Sequence, residues 1–471
     1  MSRSGVSVPA LLRTDVLDRP VNQRLETDIL YPVSASQSAA KFVFDRKGIL
    51  DSNSNLNIAI TLPELENNAG VFGDSKSCLP TATGAPALIK RAYLEIGGRR
   101  VANLDEVGQY NTWKRLHYSN DYRQDVLMVK QGGNDVFVGS ASAAYPPLNN
   151  GTIGRPSNET IQSAAANDEI TKASRRLTEN ASGNEATPQW VIPLSSMIPM
   201  LKNFQLPLFA IAQEVSLTVE FSDNTVGNQF VVPEDYEANS GDARSTVVLP
   251  QLYIMADYLY YPDEMENMAA AITSGGGYDL LYDEVQVQTS FLGAANAATF
   301  DKTVQIALGG KKVKSIHLQR LDVATRENNN GFYYSDALET SSSYNFTIDS
   351  KPFYSKDLQN PGLQFSECCR IDDTPLRIPQ ARWSASIGQP FTDRLFNGHQ
   401  QTNETGIQKW MGVRLANSAG DGMRMSNLPV LFRNYGALTG VGEDIIPYTL
   451  RFFITTQRML NISNGLVNMI E

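Results

Sequence analysis

The side chains best suited to chemistry are few, and their spacing decides what they can do. Three histidines occur, His117, His317 and His399, and none stands at metal-ligand spacing from another. Neither H-E-x-x-H nor G-x-S-x-G is present. A cupin-type centre needs clustered histidines and a carboxylate. His317 instead falls inside the alternating run 313–321 and reads as a structural strand residue. Carboxylate pairs stand at Asp263/Glu264 and Asp372/Asp373. A glycosidase acid and base are paired in space, which sequence does not show. Adjacent acids at a helix start, as at 263–264, complement the helix dipole. Gly309-Gly310-Lys311-Lys312 lacks the upstream glycine and the hydroxyl residue of a phosphate-binding loop, and it reads as a hairpin turn. Cys78, Cys368 and Cys369 make no disulfide framework and read as small buried hydrophobes of a reducing compartment. The expectation is no catalytic residue, no cofactor-binding residue, no metal ligand and no enzyme.

Other features invite a binding reading. Tyr258-Leu-Tyr-Tyr261 resembles a sugar platform, yet aromatics on a strand suit core and interface packing better. Glycosylation triplets occur at Asn150, Asn158, Asn180, Asn345, Asn403 and Asn461. Asn150, Asn158 and Asn180 fall in a loop-rich stretch and are the candidates for modification outside the secretory route. The formal charge of −10 and the lack of a long basic run disfavour phosphate neutralisation, so no direct sequence-specific nucleic-acid binding is expected. The first residues lack an apolar leader, and no apolar run approaches ~18–20 residues. Synthesis in the cytoplasm or nucleus is therefore expected.

The elements that must position these residues alternate with a period of two. Leu56, Ile58, Ile60 and Leu62 share a face, as do Val215, Leu217, Val219 and Phe221. Runs 344–348 and 448–454 repeat the pattern. Such runs, separated by Gly, Pro, Asn and Asp clusters, indicate half-buried strands of sandwiches or barrels. Helical periodicity is confined to 103–126, to 262–272 with its opening proline and acids, and to a short stretch near 195–203. Stretches 127–188 and 391–440 read as long loops. At 471 residues, with 42% hydrophobic and only 19% charged residues, the chain suits two all-β domains with much surface covered by neighbours.

Near residue 280 the chain also resembles a known family. Residues 258–269, an aromatic strand followed by an acidic helix, resemble the inter-domain linker of the double jelly-roll major capsid proteins of nucleocytoplasmic large DNA viruses, virophages and polinton-like viruses. Residues 282–288 resemble the strand opening the second roll, and 192–211 the late strands of the first. Residues 346–354 resemble a segment where a strand leads into a short helix, and 458–467 the C-terminal strand. The order and spacing of these matches over 40–471 carry the resemblance. The family's Pro-Ser-Gly signature is not evident, Gln389–Arg394 only loosely taking its place, which points to the smaller virophage or polinton-like branch.

The resemblance implies an all-β fold of two consecutive eight-stranded jelly-roll sandwiches with short helices and long inter-strand loops. The expected division is an N-terminal arm at 1–38, a first jelly roll at 39–261 with its insertion at 127–188, a helical linker at 262–282 and a second jelly roll at 283–471. It further implies a structural major capsid protein whose homotrimer forms a pseudo-hexameric capsomer in the icosahedral virion shell of a double-stranded DNA virus. Implied partners are neighbouring capsomers, a penton protein and minor capsid or cement proteins, with an internal membrane a further candidate. The arm is the candidate for an interior strap. The alternative is a jelly-roll carbohydrate-binding protein or glycoside hydrolase, with a concave aromatic face and a carboxylate pair.

Overall fold

The structure, a computed structural model, describes residues 24–61, 77–78, 83–119, 122–132, 189–202, 206–222, 232–233, 248–273, 277–292, 299–322, 343–372, 376–377, 410–417, 420–437 and 448–470. His399, Asp373 and Gln389–Arg394 lie outside them, as do Asn150, Asn158, Asn180, Asn403 and the insertion from 133 to 188.

The first half supplies β1 (Arg24–Leu30), β2 (Ala39–Phe44), β3 (Asn55–Thr61), β4 (Ile89–Ile96), β5 (Arg99–Asp105), β6 (Gln189–Pro193), β7 (Val215–Phe221) and β8 (Val248–Tyr260). They pair as two antiparallel sheets, β1-β8-β3-β6 and β2-β7-β4-β5. Alternation directs one side of each strand inward. Phe42, Leu94, Leu217, Leu56, Ile58 and Ile254 are each fully buried between the sheets, worth ~1.5–3 kcal/mol per side chain before entropy is counted.

The second half repeats the plan. Its strands are β9 (Tyr278–Leu292), β10 (Thr299–Ile306), β11 (Lys312–Asp322), β12 (Ser343–Ile348), β13 (Lys351–Pro352), β14 (Met411–Arg414), β15 (Val430–Ala437) and β16 (Tyr448–Ser463). The sheets are β9-β16-β11-β14 and β10-β15-β12-β13. Adding eight to each label of the first half reproduces this order. Both halves are jelly rolls, in which most strands pair with one distant in sequence, β4-β5 and β12-β13 being the local hairpins. A last strand, β17 (Leu466–Ile470), folds back on β16 through Asn464 and Gly465, both at positive φ, the backbone of a tight hairpin turn.

Between the rolls, helix α2 (Pro262–Thr273) follows β8 directly. Gly277, at φ 69°, then turns the chain into β9. A β-carbon there would lie 2.6 Å from the Asn461 amide, so close approach as well as φ requires glycine.

Several boundaries differ from the sequence reading. Residues 24–30 are not part of an arm: β1 pairs with β8 over its whole length, so the first sandwich begins at 24. β9 begins at 278, inside the expected linker. The expected loop at 391–440 contains β14 and β15. Gly309 and Gly310 do form a turn, but it joins β10 to β11, which belong to different sheets, so it is a corner and not a hairpin. In 346–354 the strand runs through Asp349 and Ser350, both at positive φ, into β13, and helix α3 (Pro361–Arg370) starts only later.

Candidate functional site: the seam between the sandwiches

Helix α1 (Val107–Arg115) emerges from β5 and lies against the second sandwich. On β11, Ile316 and Leu318 point into the second core, so His317 between them points out of it. Phe453, between Phe452 and Ile454 on β16, does the same. Trp113 of α1 covers this outer face. Its ring stacks on His317 at 4.6 Å and 17°, and His317 stacks in turn on Phe453 at 5.2 Å and 8°. Trp410 closes one side, 5.3 Å from Trp113. Trp113, Trp410 and Phe453 are fully buried.

Polar groups fasten the same seam. The Asp372 carboxylate accepts hydrogen bonds from Trp113 Nε1 and Lys114 Nζ, both at 2.9 Å. His117, edge-on to Trp113, brings Nε2 within 3.4 Å of that carboxylate. Burial alone would raise the Asp372 pKa, but Lys114, His117 and His317 outweigh it and hold the group below the usual carboxylate range. Arg451 of β16 reaches Glu106 at the start of α1, at 3.3 Å. Tyr282 donates to the Val101 carbonyl at 3.0 Å, and Gly465 accepts from the Ala212 amide at 2.8 Å.

Burial lowers His317 from 6.5 to about 3. Neither ring nitrogen has a hydrogen-bond partner among the described residues. A neutral imidazole packed as an aromatic slab is a spacer and not an acid, base or ligand. His117 and His317 stand 200 positions apart in sequence yet touch opposite parts of one indole. No local spacing could have announced that cluster. Among the described residues no group of His, Cys, Asp and Glu is arranged to hold a metal.

The remaining candidates resolve as structure. Cys368 is fully buried, donating to the Trp410 carbonyl at 3.4 Å, and burial raises the half-buried Cys369 thiol. Asp263 sits in the first turn of α2. Tyr258 is fully buried with the Lys47 ammonium 4.8 Å from its ring centroid, a core residue, while Tyr260 and Tyr261 are half-buried. Asn345 is buried, its amide donating to the Tyr354 carbonyl and Asp357, and the Asn461 amide donates to Asp279. The buried Asn345 amide is not presented for a glycan.

No protein-family model matches the chain, and no curated protein sequence is significantly similar to it. Solved structures do match along nearly its whole length. The Sputnik virophage structure aligns with TM-score 0.58 at 13% identity, covering 95% of this chain and 88% of that one. The PBCV-1 virus capsid gives 0.55 at 12%, covering 96% and 98%. The mavirus major capsid protein gives 0.54 at 10%, covering 94% and 90%. The chain thus has the double jelly-roll fold of these capsid proteins, and the likeness to virophage and to large-virus shells is similar in size.

Proposed function

We propose that the chain is the major capsid protein of an icosahedral double-stranded DNA virus, acting as a homotrimer whose sandwiches form a pseudo-hexameric capsomer. The observation that carries this reading, beside the whole-chain likeness, is an unmatched half-interface. The second sandwich has its outer β9-β16-β11-β14 face covered by α1 of the first. The equivalent face of the first sandwich is open along β1 and part of β8, while Asn57 and Ala59 of β3 and Leu259 of β8 on the same face are buried. It presents Leu25 at 58%, Ile29 at 55% and Met255 at 39% exposure, with Tyr31 and Val33 beyond the strand. Helix α3 follows β13 as α1 follows β5, and it exposes Leu363. A partly open face at one end of a chain and the exposed Leu363 of α3 at the other would generate head-to-tail contacts, which close into a ring when the rotation permits. Three copies place six sandwiches around it.

Native mass spectrometry tests the reading. A trimer is expected from the wild type, and a monomer of unchanged unfolding curve from Ile29→Arg. A monomeric wild type that binds glycans would instead support the carbohydrate reading. Residues 1–23, outside the described residues, are the segment we assign to an interior strap. Shells that assemble normally without them would remove that role. Capsomer neighbours, a penton protein and cement proteins on the inner face are the further partners this reading implies, in a virion assembled in the host cytoplasm or nucleus.

A further inference from the structure

His317 fills a place that suits a neutral ring and not a cation. It is 1% exposed, stacked between Trp113 of α1 and Phe453 of β16, and neither ring nitrogen has a hydrogen-bond partner among the described residues. An imidazolium donates from both nitrogens, and a buried charged donor without an acceptor carries its whole desolvation cost. α1 presents Tyr110 and Lys114 to the ring, and His117 stands just beyond the helix. Asp372, after α3, is the one carboxylate among these groups. It already receives Trp113 Nε1 and Lys114 Nζ at 2.9 Å, with His117 Nε2 at 3.4 Å. β16 presents Phe453, with Arg451 two positions along and held by Glu106. Trp410 closes the side before β14.

The contact is also built to part. A cavity of about 470 Å³ runs along the seam, with Tyr110, Lys114 and His117 on one side and Lys314, Asp372 and Thr455 on the other. Solvent therefore borders the polar edge of the contact, while the stacked rings stay dry. Behind His317 the second core is closed on itself through Ile316, Leu318 and Phe452. α1 can lift away without opening that interior, whereas the first core, which runs into the seam, loosens with it. Lifting hydrates the imidazole, which then takes up a proton below its ordinary 6.5. His117 acts in the opposite sense, since a positive charge beside Asp372 favours the closed contact.

We propose that the seam is an acid-released latch, in which protonation of His317 frees α1 and the first sandwich from a second sandwich that keeps its fold. The latch goes beyond the capsid reading and does not depend on it. Hydrogen exchange of the full chain at pH 7.5 and 5, read by mass spectrometry and corrected for intrinsic exchange, tests it. With a folded pKa of about 3 against 6.5, His317 alone raises the open population about 30-fold over that interval, and His117 takes back part of this. Protection of α1 peptides is expected to fall at least tenfold at pH 5, with that of β12 in the second core unchanged. In His317→Phe the fall in α1 is expected to be lost. Equal protection of α1 at both pH values, a parallel loss in β12, or the same fall in His317→Phe overturns the proposal. Should the variant fold poorly, the wild-type comparison of α1 with β12 decides alone. The readout lies within one chain, so it separates from the trimer measurement above: a monomer can carry the latch and a trimer can lack it.

Discussion

The two sandwiches share one strand order and differ in where their apolar surface goes. The second keeps a closed core in which Phe346, Phe432 and Phe452 pack at 5.1 and 5.6 Å. The first has a core continuous with the seam, running through Trp113 to Trp410, Phe453 and Ile462. A repeated topology therefore does not mean repeated energetics. The second roll can lose the seam and keep its interior, whereas the first cannot. The outer faces differ in the opposite sense, since that of the second roll is covered by α1 and that of the first exposes Leu25, Ile29 and Met255 along β1 and β8.

The sharpest way to break this comparison is Trp113→Ala. Removing a fully buried indole costs ~3–5 kcal/mol. Urea unfolding is expected to split into two transitions, with the first sandwich melting earlier, and a single cooperative shift would show the rolls to be one unit. Asp372→Asn comes next. It leaves Lys114 without its countercharge in the seam. Both side chains retain about a fifth of their exposure, so the cost falls below that of a fully buried pair, at ~2 kcal/mol by chemical denaturation.

His317 sharpens the contrast through pH. Its folded pKa of about 3 lies below the ordinary 6.5, so the unfolded chain binds the extra proton between those values. Stability therefore falls as pH drops from 6.5 toward 3, by ~2 kcal/mol between pH 7.5 and 5 from this group alone. Asp372, with a lowered pKa, keeps its full contribution over that range and loses it only at more acid pH. His317→Phe keeps a ring between Trp113 and Phe453. Melting against pH is expected to be flatter in the variant, and an unchanged slope would mean that the imidazole is hydrated. The smallest effect is expected for Gly465→Ala. Its φ is +77° and a new β-carbon would stand 2.8 Å from Ala212 of the first roll. A loss of ~1–2 kcal/mol is expected by thermal unfolding.

Alternation made the strands legible. β7, β12 and the start of β16 stand where their period of two placed them. Pro262 and its acids likewise marked α2 within a residue of its end. β1 was missed because Arg24–Leu30, an edge strand, leaves Leu25 and Ile29 exposed, so its alternation marks no buried face. β14 was missed because four residues between turn clusters carry too little periodicity to be read. The seam was illegible for a different reason. It is assembled from His117, His317, Asp372 and Trp113, whose proximity is a property of the closed fold and of no local segment.

The length and position of β16 have a consequence for how the chain reaches this state. It is hydrogen-bonded to β9 on one side and β11 on the other, and it lies more than 120 residues after the end of β11. During synthesis β9 and β11 therefore wait with unpaired edges until β16 has been made. β1 waits similarly for β8, as the Thr27–Asp257 contact, 230 residues apart, shows. Such non-local closure is slow, and open strand edges recruit other chains. The second sandwich cannot close before β16 has been made, and a polypeptide stopped before residue 448 is a template for aggregation, not a smaller version of the fold.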